Sequence, residues 1–223
     1  LYTAEEAILN LKLVASLKKP TGFYDPKNPE MKGSEDTDSK DDEEVLTIEE
    51  ASRKLRSPML SFSNTDMAFK DNLLVAGSYH GFNIYELQDD GIPNLITSVV
   101  CPGGQGDVSV VGNILIMSVE ETRGRVDCGL DGVGPDASPE RFRGIRIFDI
   151  SNIKKPKQVG AVQTCRGSHT HSVVSSDRKK IIVYNSGTGR VRDTEEKEEC
   201  FGWDGGGSSY FSCLLYTSPS PRD

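Results

Sequence analysis

From Ser61 onward the chain is a series of short apolar runs separated by turn residues. Asp66-Met67-Ala68-Phe69-Lys70 is followed by Asp71-Asn72 and then by Leu73-Leu74-Val75-Ala76. The pattern returns as Asp107-Val108-Ser109-Val110-Val111, Gly112-Asn113 and Ile114-Leu115-Ile116-Met117. Runs of this length bounded by Gly, Asn and Asp are strand signals, too short for helices. Gly81-Phe82-Asn83-Ile84-Tyr85-Glu86-Leu87 aligns in the same way with Gly144-Ile145-Arg146-Ile147-Phe148-Asp149-Ile150. A third copy starts at His171-Ser172-Val173-Val174, with Lys180-Ile181-Ile182-Val183-Tyr184 as its second strand. In this alignment His171 takes the place that Asp107 holds in the copy before it.

The first repeat is about 41 residues long, and the second carries an insertion of about 22 residues between Val119 and Gly144. Four short strands at a period near 40 predict blades of a β-propeller. The run Ile114 to Val119 is apolar on both faces except at Ser118. A strand needs two apolar faces when its sheet lies between two others. An antiparallel sandwich is the rival architecture, and the matched repeats favour the propeller. The expected fold is therefore all-β, a partial β-propeller of four-stranded antiparallel blades. Two blades are complete, one is partial, and the ring is not closed by this chain alone.

The flanking regions differ in texture. Residues 1–20 hold Leu9, Leu11, Leu13, Val14 and Leu17; Ala4 to Leu13 reads as a short helix, and Leu11 to Leu17 better as an alternating strand that Pro20 ends. Residues 21–60 include the acidic, non-periodic run Gly33 to Glu44, a linker or inserted loop without the spacing of an EF-hand. Within it Thr47, with Glu50 three residues on, makes a capping box for a turn or two of helix over 47–56. The blades span 61–211, with a strand beginning at Ser208-Ser209-Tyr210-Phe211. Residues 212–223 resemble translated adapter sequence and are set outside the fold as a non-native tail. The chain opens on Leu1, and this fragment shows no signal peptide.

Gly144-Ile145-Arg146-Ile147-Phe148-Asp149-Ile150-Ser151-Asn152, followed by Lys155-Pro156-Lys157-Gln158-Val159-Gly160, resembles the LVIVD repeat of β-propeller proteins. Gly81 to Thr97 is a weaker copy, with Tyr85-Glu86-Leu87 in place of Phe-Asp-Ile. The segments Cys101 to Asp107 and Cys165 to His171 are similar to a subgroup of exported bacterial members. The resemblance covers residues 61–211 and implies the fold. It implies little about activity, because propellers host binding, scaffolding and catalysis alike.

Alternation of strand direction then sorts the unusual residues. With strands A to D running outward from the axis, B–C loops and D–A links lie on one face of the disc. His80 is in the first B–C turn, Cys128 in the second B–C loop and Cys200 in the third, while Cys101, Cys165, His169 and His171 lie on D–A links. All three histidines and four of the five cysteines are thus expected on one face, where long loops carry function. Four cysteines allow three pairings, and at least one disulfide among Cys101, Cys128, Cys165 and Cys200 is expected. That fits an extracytoplasmic location, secreted, periplasmic or at the cell surface.

Arg123, Arg125, Arg141, Arg143 and Arg166 bring positive charge to this face of an acidic chain, with 26 basic against 34 acidic residues. They suggest an anionic ligand or an acidic partner, or else pair with Glu120, Glu121 and Glu140. A net charge of −8 argues against nucleic acid, and no apolar run is long enough to span a membrane. The binding face is therefore drawn from His80, Arg123, Arg125, Arg143, Arg166, His169 and His171, with no catalytic residue assigned. The favoured function is a non-enzymatic binding or scaffold module for a protein or small anionic ligand. The alternative is a metal-dependent enzyme at the propeller mouth, its transition metal held by His169, His171, Cys165 and His80. Ser168 beside His169 lacks triad geometry. Asp66 and Asp107, at the entrance to strand A, either bind cations or cap the D–A links through backbone N–H groups; capping is the favoured reading.

Overall fold

The computed structural model describes residues 9–23, 63–134 and 136–200, and the backbone of 212–217. Among these residues every regular element is a strand. The first sheet is β1 (Asn64–Lys70), β2 (Leu73–Ser78), β3 (Gly81–Leu87) and β4 (Pro93–Val100), in that order and antiparallel throughout. The second repeats the arrangement with β5 (Val108–Val111), β6 (Ile114–Val119), β7 (Gly144–Asp149) and β8 (Lys157–Gln163). The third has three strands, β9 (Thr170–Ser176), β10 (Lys180–Ser186) and β11 (Ser212–Thr217). The first strands of the three sheets adjoin, with β5 between β1 and β9.

The middle sheet has a core on each side. Leu115, Met117, Phe148 and Ile150 pack with Val75, Phe82 and Ile84 of the first sheet, and Phe82 meets Phe148 edge to face at 4.9 Å. Ile116, Ile145 and Ile147 turn the other way and pack with Ile181 and Val183. The two-sided apolar run Ile114–Val119 is explained by this position: successive side chains of β6 enter different cores.

The repeats match in detail as well as in outline. Gly81 and Gly144 open the third strands of their sheets at φ +135° and +146°. A Cβ at either would stand 2.0 Å from a carbonyl of the neighbouring fourth strand, Val99 O and Val162 O respectively. Both third-to-fourth strand pairings also carry a bulge at the same step, Ile84/Tyr85 and Ile147/Phe148.

Three expectations are corrected. The alternating run Leu11–Leu17 pairs with no strand among the described residues and has no regular structure. The end of the chain enters the fold, since Ser212–Thr217 pairs antiparallel with β10. Backbone pairing accepts any non-proline residue, so origin does not bar a segment from a sheet. His171 is the counterpart of Val108, one residue on from Asp107, because Asp66 accepts from the Val108 N–H and Asp107 from the His171 N–H. Most of the acidic segment 21–60, the capping box over 47–56 and the strand expected to begin at Ser208 lie outside the described residues.

Gly144→Ala is expected to destabilise the fold by about 2–4 kcal/mol, since both φ and the Val162 carbonyl oppose a side chain. Gly112→Ala, at φ +57° with nothing within 4 Å of the new Cβ, should cost only about 1 kcal/mol. Urea unfolding of the two variants measures the contrast.

Candidate functional site

The loops at one end of the sheets are joined by two disulfides of the same design. Cys101, just after β4, bonds Cys128 in the β6–β7 loop; Cys165, just after β8, bonds Cys200 in the segment after β10. Each ties the exit from one sheet to the long loop of the next. The Glu120 and Glu121 N–H groups donate to the Gly103 carbonyl, and the Cys101 N–H donates to the His80 carbonyl at 2.6 Å. His80, Cys101, Cys128 and Glu120 thus share one rim. His169 joins them, its Nδ1 lying 2.6 Å from Glu120 Oε2.

Asp66 and Asp107 act as caps. Each carboxylate crosses to the next sheet and accepts an N–H at the start of its inner strand, at 3.0 Å for Val108 and 2.7 Å for His171. Asp107 also meets the His171 ring, with Oδ2 2.9 Å from Nδ1. Burial pushes the Asp107 carboxyl up, but bonds from His171 and Asp66 outweigh it and hold it below the usual carboxylate range. Ser118 Oγ lies 2.8 Å from the same Nδ1 and 2.7 Å from Ser168 Oγ. A carboxylate accepts only, so any proton it shares with the ring sits on Nδ1, the nitrogen that Ser118 also meets. Aspartate and serine therefore share one ring nitrogen. A nucleophile triad needs them on opposite nitrogens, with the base free to take the serine proton. This buried Asp-His-Ser-Ser chain fastens the second sheet to the third and does not activate a hydroxyl.

The arginines mostly turn inward. Arg141 is buried, with Nε 2.5 Å from Glu196 Oε1, and it donates to the carbonyls of Thr122, Gly134 and Asp136. Arg192, also buried, binds the other Glu196 oxygen at 2.9 Å, the Gln163 side chain and the Arg141 carbonyl. Burial pushes the Glu196 carboxyl up, and the two guanidiniums more than reverse this. Arg143 donates to the Arg190 carbonyl at 2.8 Å. Burial, with Arg192 and Arg141 nearby, lowers its guanidinium to about 10. Arg146 is wholly buried inside β7, stacks 4.1 Å over Phe142, and donates to the carbonyls of Arg125 and Val126 and to Gln158. Arg125 holds Asp127 and Glu140, Arg123 holds Glu121, and Arg166 donates to the Gly189 carbonyl.

The expected basic face is therefore corrected. Arg141 and Arg143 are buried struts, and Arg123 and Arg125 are paired as the alternative reading had it, with Glu121 and Glu140. Glu120 goes instead to His169 and Thr188. The charges these loops expose are mostly acidic, among them Asp131, Asp136, Asp193, Glu195, Glu198 and Glu199, with Arg190 a basic exception. The expected metal set is corrected too. Cys165 is spent in a disulfide, His80 lies against Phe23 on the first sheet, and His169 and His171 engage separate partners. Among the described residues no three His, Cys, Asp or Glu side chains come together to hold an ion. Sequence reasoning missed Arg192, Glu196 and Ser118. Ser118 alone left a signal, as the one polar residue in a two-sided apolar strand.

No family model matches this chain, and no curated protein does. Among solved structures it is similar to the computationally designed Ika4 protein at 12% identity, covering 70% of this chain and 92% of that one. The TM-score is 0.27, too low to argue from. No helix among the described residues is long and apolar enough to cross a membrane. The two disulfides are of a kind that persists in oxidising surroundings.

Two tests follow from these interactions. Burial, with the Lys19 charge beyond it, lowers His80 from 6.5 to about 4. The unfolded chain then takes up a proton that the folded chain refuses. Stability is full above pH 6.5 and falls by up to about 3 kcal/mol as pH drops to 4. Urea unfolding at pH 7.5, 5.5 and 4 should show this slope, and His80→Gln should remove the fall between 7.5 and 5.5, leaving below it the smaller loss from carboxylates such as Glu196 and Asp107. Glu196→Gln should cost about 3 kcal/mol by leaving two buried guanidiniums without a carboxylate, read as a lowered unfolding midpoint at pH 7.

Proposed function

We infer that the protein is a non-enzymatic binding or scaffold module, its sheets blades of an LVIVD-type β-propeller and its partner a protein that meets the loop-bearing rim outside the cytoplasm. One observation carries this reading: equivalent disulfides on consecutive sheets brace the long loops of the same rim. Loops held by covalent staples and buried guanidiniums keep one shape. A rigid surface loses little conformational entropy when a partner docks, which favours binding. The opposite ends of the strands carry only short turns such as Asp71-Asn72 and Gly112-Asn113. The acidic charge exposed on the rim suits a basic protein surface better than a small anion.

A photo-crosslinking side chain placed at Asp131 or Glu195, on the rim, should capture a protein partner from the exported fraction of the source cells. The same group at Asn152, on the opposite turn, should not. Equal capture from both ends, or none from the rim, would count against the reading. So would stoichiometric zinc, copper or iron that is lost when His169 and His171 are both changed to alanine.

A further inference from the structure

The end of the second and third sheets that carries short turns is basic. Lys154 and Lys155 lie in the turn before β8 and Lys157 opens that strand; Arg178 and Lys179 lie in the turn before β10 and Lys180 opens that one. All are exposed except Lys180, which is half-buried. Lys157 pairs with Asp149 of β7, and Ile181, beside Lys180, shares a core with Ile147 of the same strand. The two turns therefore stand about one sheet spacing apart, ~10 Å. The acids among them, Asp149 and Asp177, aim their carboxylates at backbone N–H groups, that of Ser151 at 2.8 Å and those of Lys179 and Lys180 at 2.7 and 2.8 Å. None of the six basic side chains forms a salt bridge among the described residues. An acidic chain has gathered cations on the tips of adjacent turns.

A second feature starts from the same end. The segment before Pro20 runs along the first sheet, since Val14 lies against Gly91 in the turn before β4 and Gly22 lies against Val100 at the other end of that strand. Leu13, Lys12 and Leu11 precede Val14, and so lie within ~10 Å of the turn. Leu9 is 83% exposed, Leu11 81% and Leu13 54%. Residues 9–23 hold Lys12, Lys18 and Lys19 and no acid.

We propose that this end of the molecule docks on an anionic lipid surface, with the lysines of the turns on headgroup phosphates and the leucines of the N-terminal segment at the acyl boundary. The pairing of the two features chooses lipid. A soluble polyanion offers charge and nothing for exposed leucines, whereas a bilayer offers both, with hydrocarbon within ~10 Å of its phosphates. The turns of the first sheet expose Asp71, Asp89 and Asp90, so attraction comes from the second and third sheets and apolar contact from the segment. The acidic loop rim stands a strand length away, ~20 Å, more than two Debye lengths of ~8 Å at physiological salt, and does not cancel that attraction. Docked in this way, the molecule turns its loop rim away from the lipid and leaves it open to a protein partner.

Flotation of the full chain with vesicles is the test. Phosphatidylcholine vesicles with about 30% phosphatidylglycerol should carry the protein at about 50 mM salt, pure phosphatidylcholine should not, and about 500 mM salt should release it. Lys154→Gln combined with Lys155→Gln should weaken partition about 25-fold, at about fivefold per charge. Leu11→Ser should weaken it about fivefold and leave the salt dependence unchanged. Glu195→Gln, on the loop rim, should float like wild type. All these side chains are exposed, and unchanged unfolding midpoints will show that the variants keep the fold. No flotation with anionic vesicles, equal flotation with neutral ones, or full partition by the lysine double variant or by Leu11→Ser would each overturn the proposal. Retention on heparin by a chain that no vesicle carries would also overturn it, and would assign the turns to a soluble polyanion.

Discussion

Burial of the middle sheet on both faces is the constraint from which the rest of the molecule follows. A strand whose neighbours in sequence enter opposite cores, as Leu115 and Ile116 do, is satisfied only between two other sheets. Once three antiparallel sheets are stacked with their first strands adjacent, every second connection falls at the same end. The disulfides, the buried histidines and the inserted loops share a rim because the strands alternate. Their proximity needs no separate cause.

That rim is organised by desolvated charge. The guanidiniums of Arg141, Arg143, Arg146 and Arg192 lie inside, where Arg141, Arg146 and Arg192 each donate in several directions at once and Arg143 reaches the Arg190 carbonyl. A loop without regular structure has carbonyls that no ladder satisfies, and these arginines collect them: Thr122, Gly134 and Asp136 by Arg141, Arg125 and Val126 by Arg146. Ionised groups held this way resist removal of their partner more than they add net stability. Their contribution is to give long loops a single conformation. The consequence for the surface is indirect: with most basic side chains drawn in and Arg190 left outside, a partner meets a mainly acidic rim.

The strands were legible because their signal is local. The reading of Gly144–Ile150 and Ile114–Val119 as strands agrees with β7 and β6 to within a residue. The equivalence of Gly81 and Gly144 is equally plain from the repeat and from the backbone. What was not legible depends on direction and partner. Nothing in a sequence says that an arginine on a loop points inward, and composition made Arg143 look like surface charge. The His171 alignment slipped by one because the third copy lacks the aspartate that marks the others and carries a bulge at Val174. Cys165 was open to two chemistries until Cys200, far along the chain, proved to lie beside it.

The buried Asp107-His171-Ser118-Ser168 chain shows why such residue sets must be judged by atoms. The same three residue types describe a hydrolase site and a fastening. The difference lies in which ring nitrogen each group meets. Asp107 already spends its other interaction on a backbone N–H that begins the next sheet, as Asp66 does one repeat earlier without any histidine present. The capping role is therefore the repeated one, and the imidazole is an addition to it at a single junction. A part that recurs wherever two sheets meet belongs to the joint between them, and His171 with Ser118 closes a polar gap there that Val108 fills with hydrocarbon between the first two sheets.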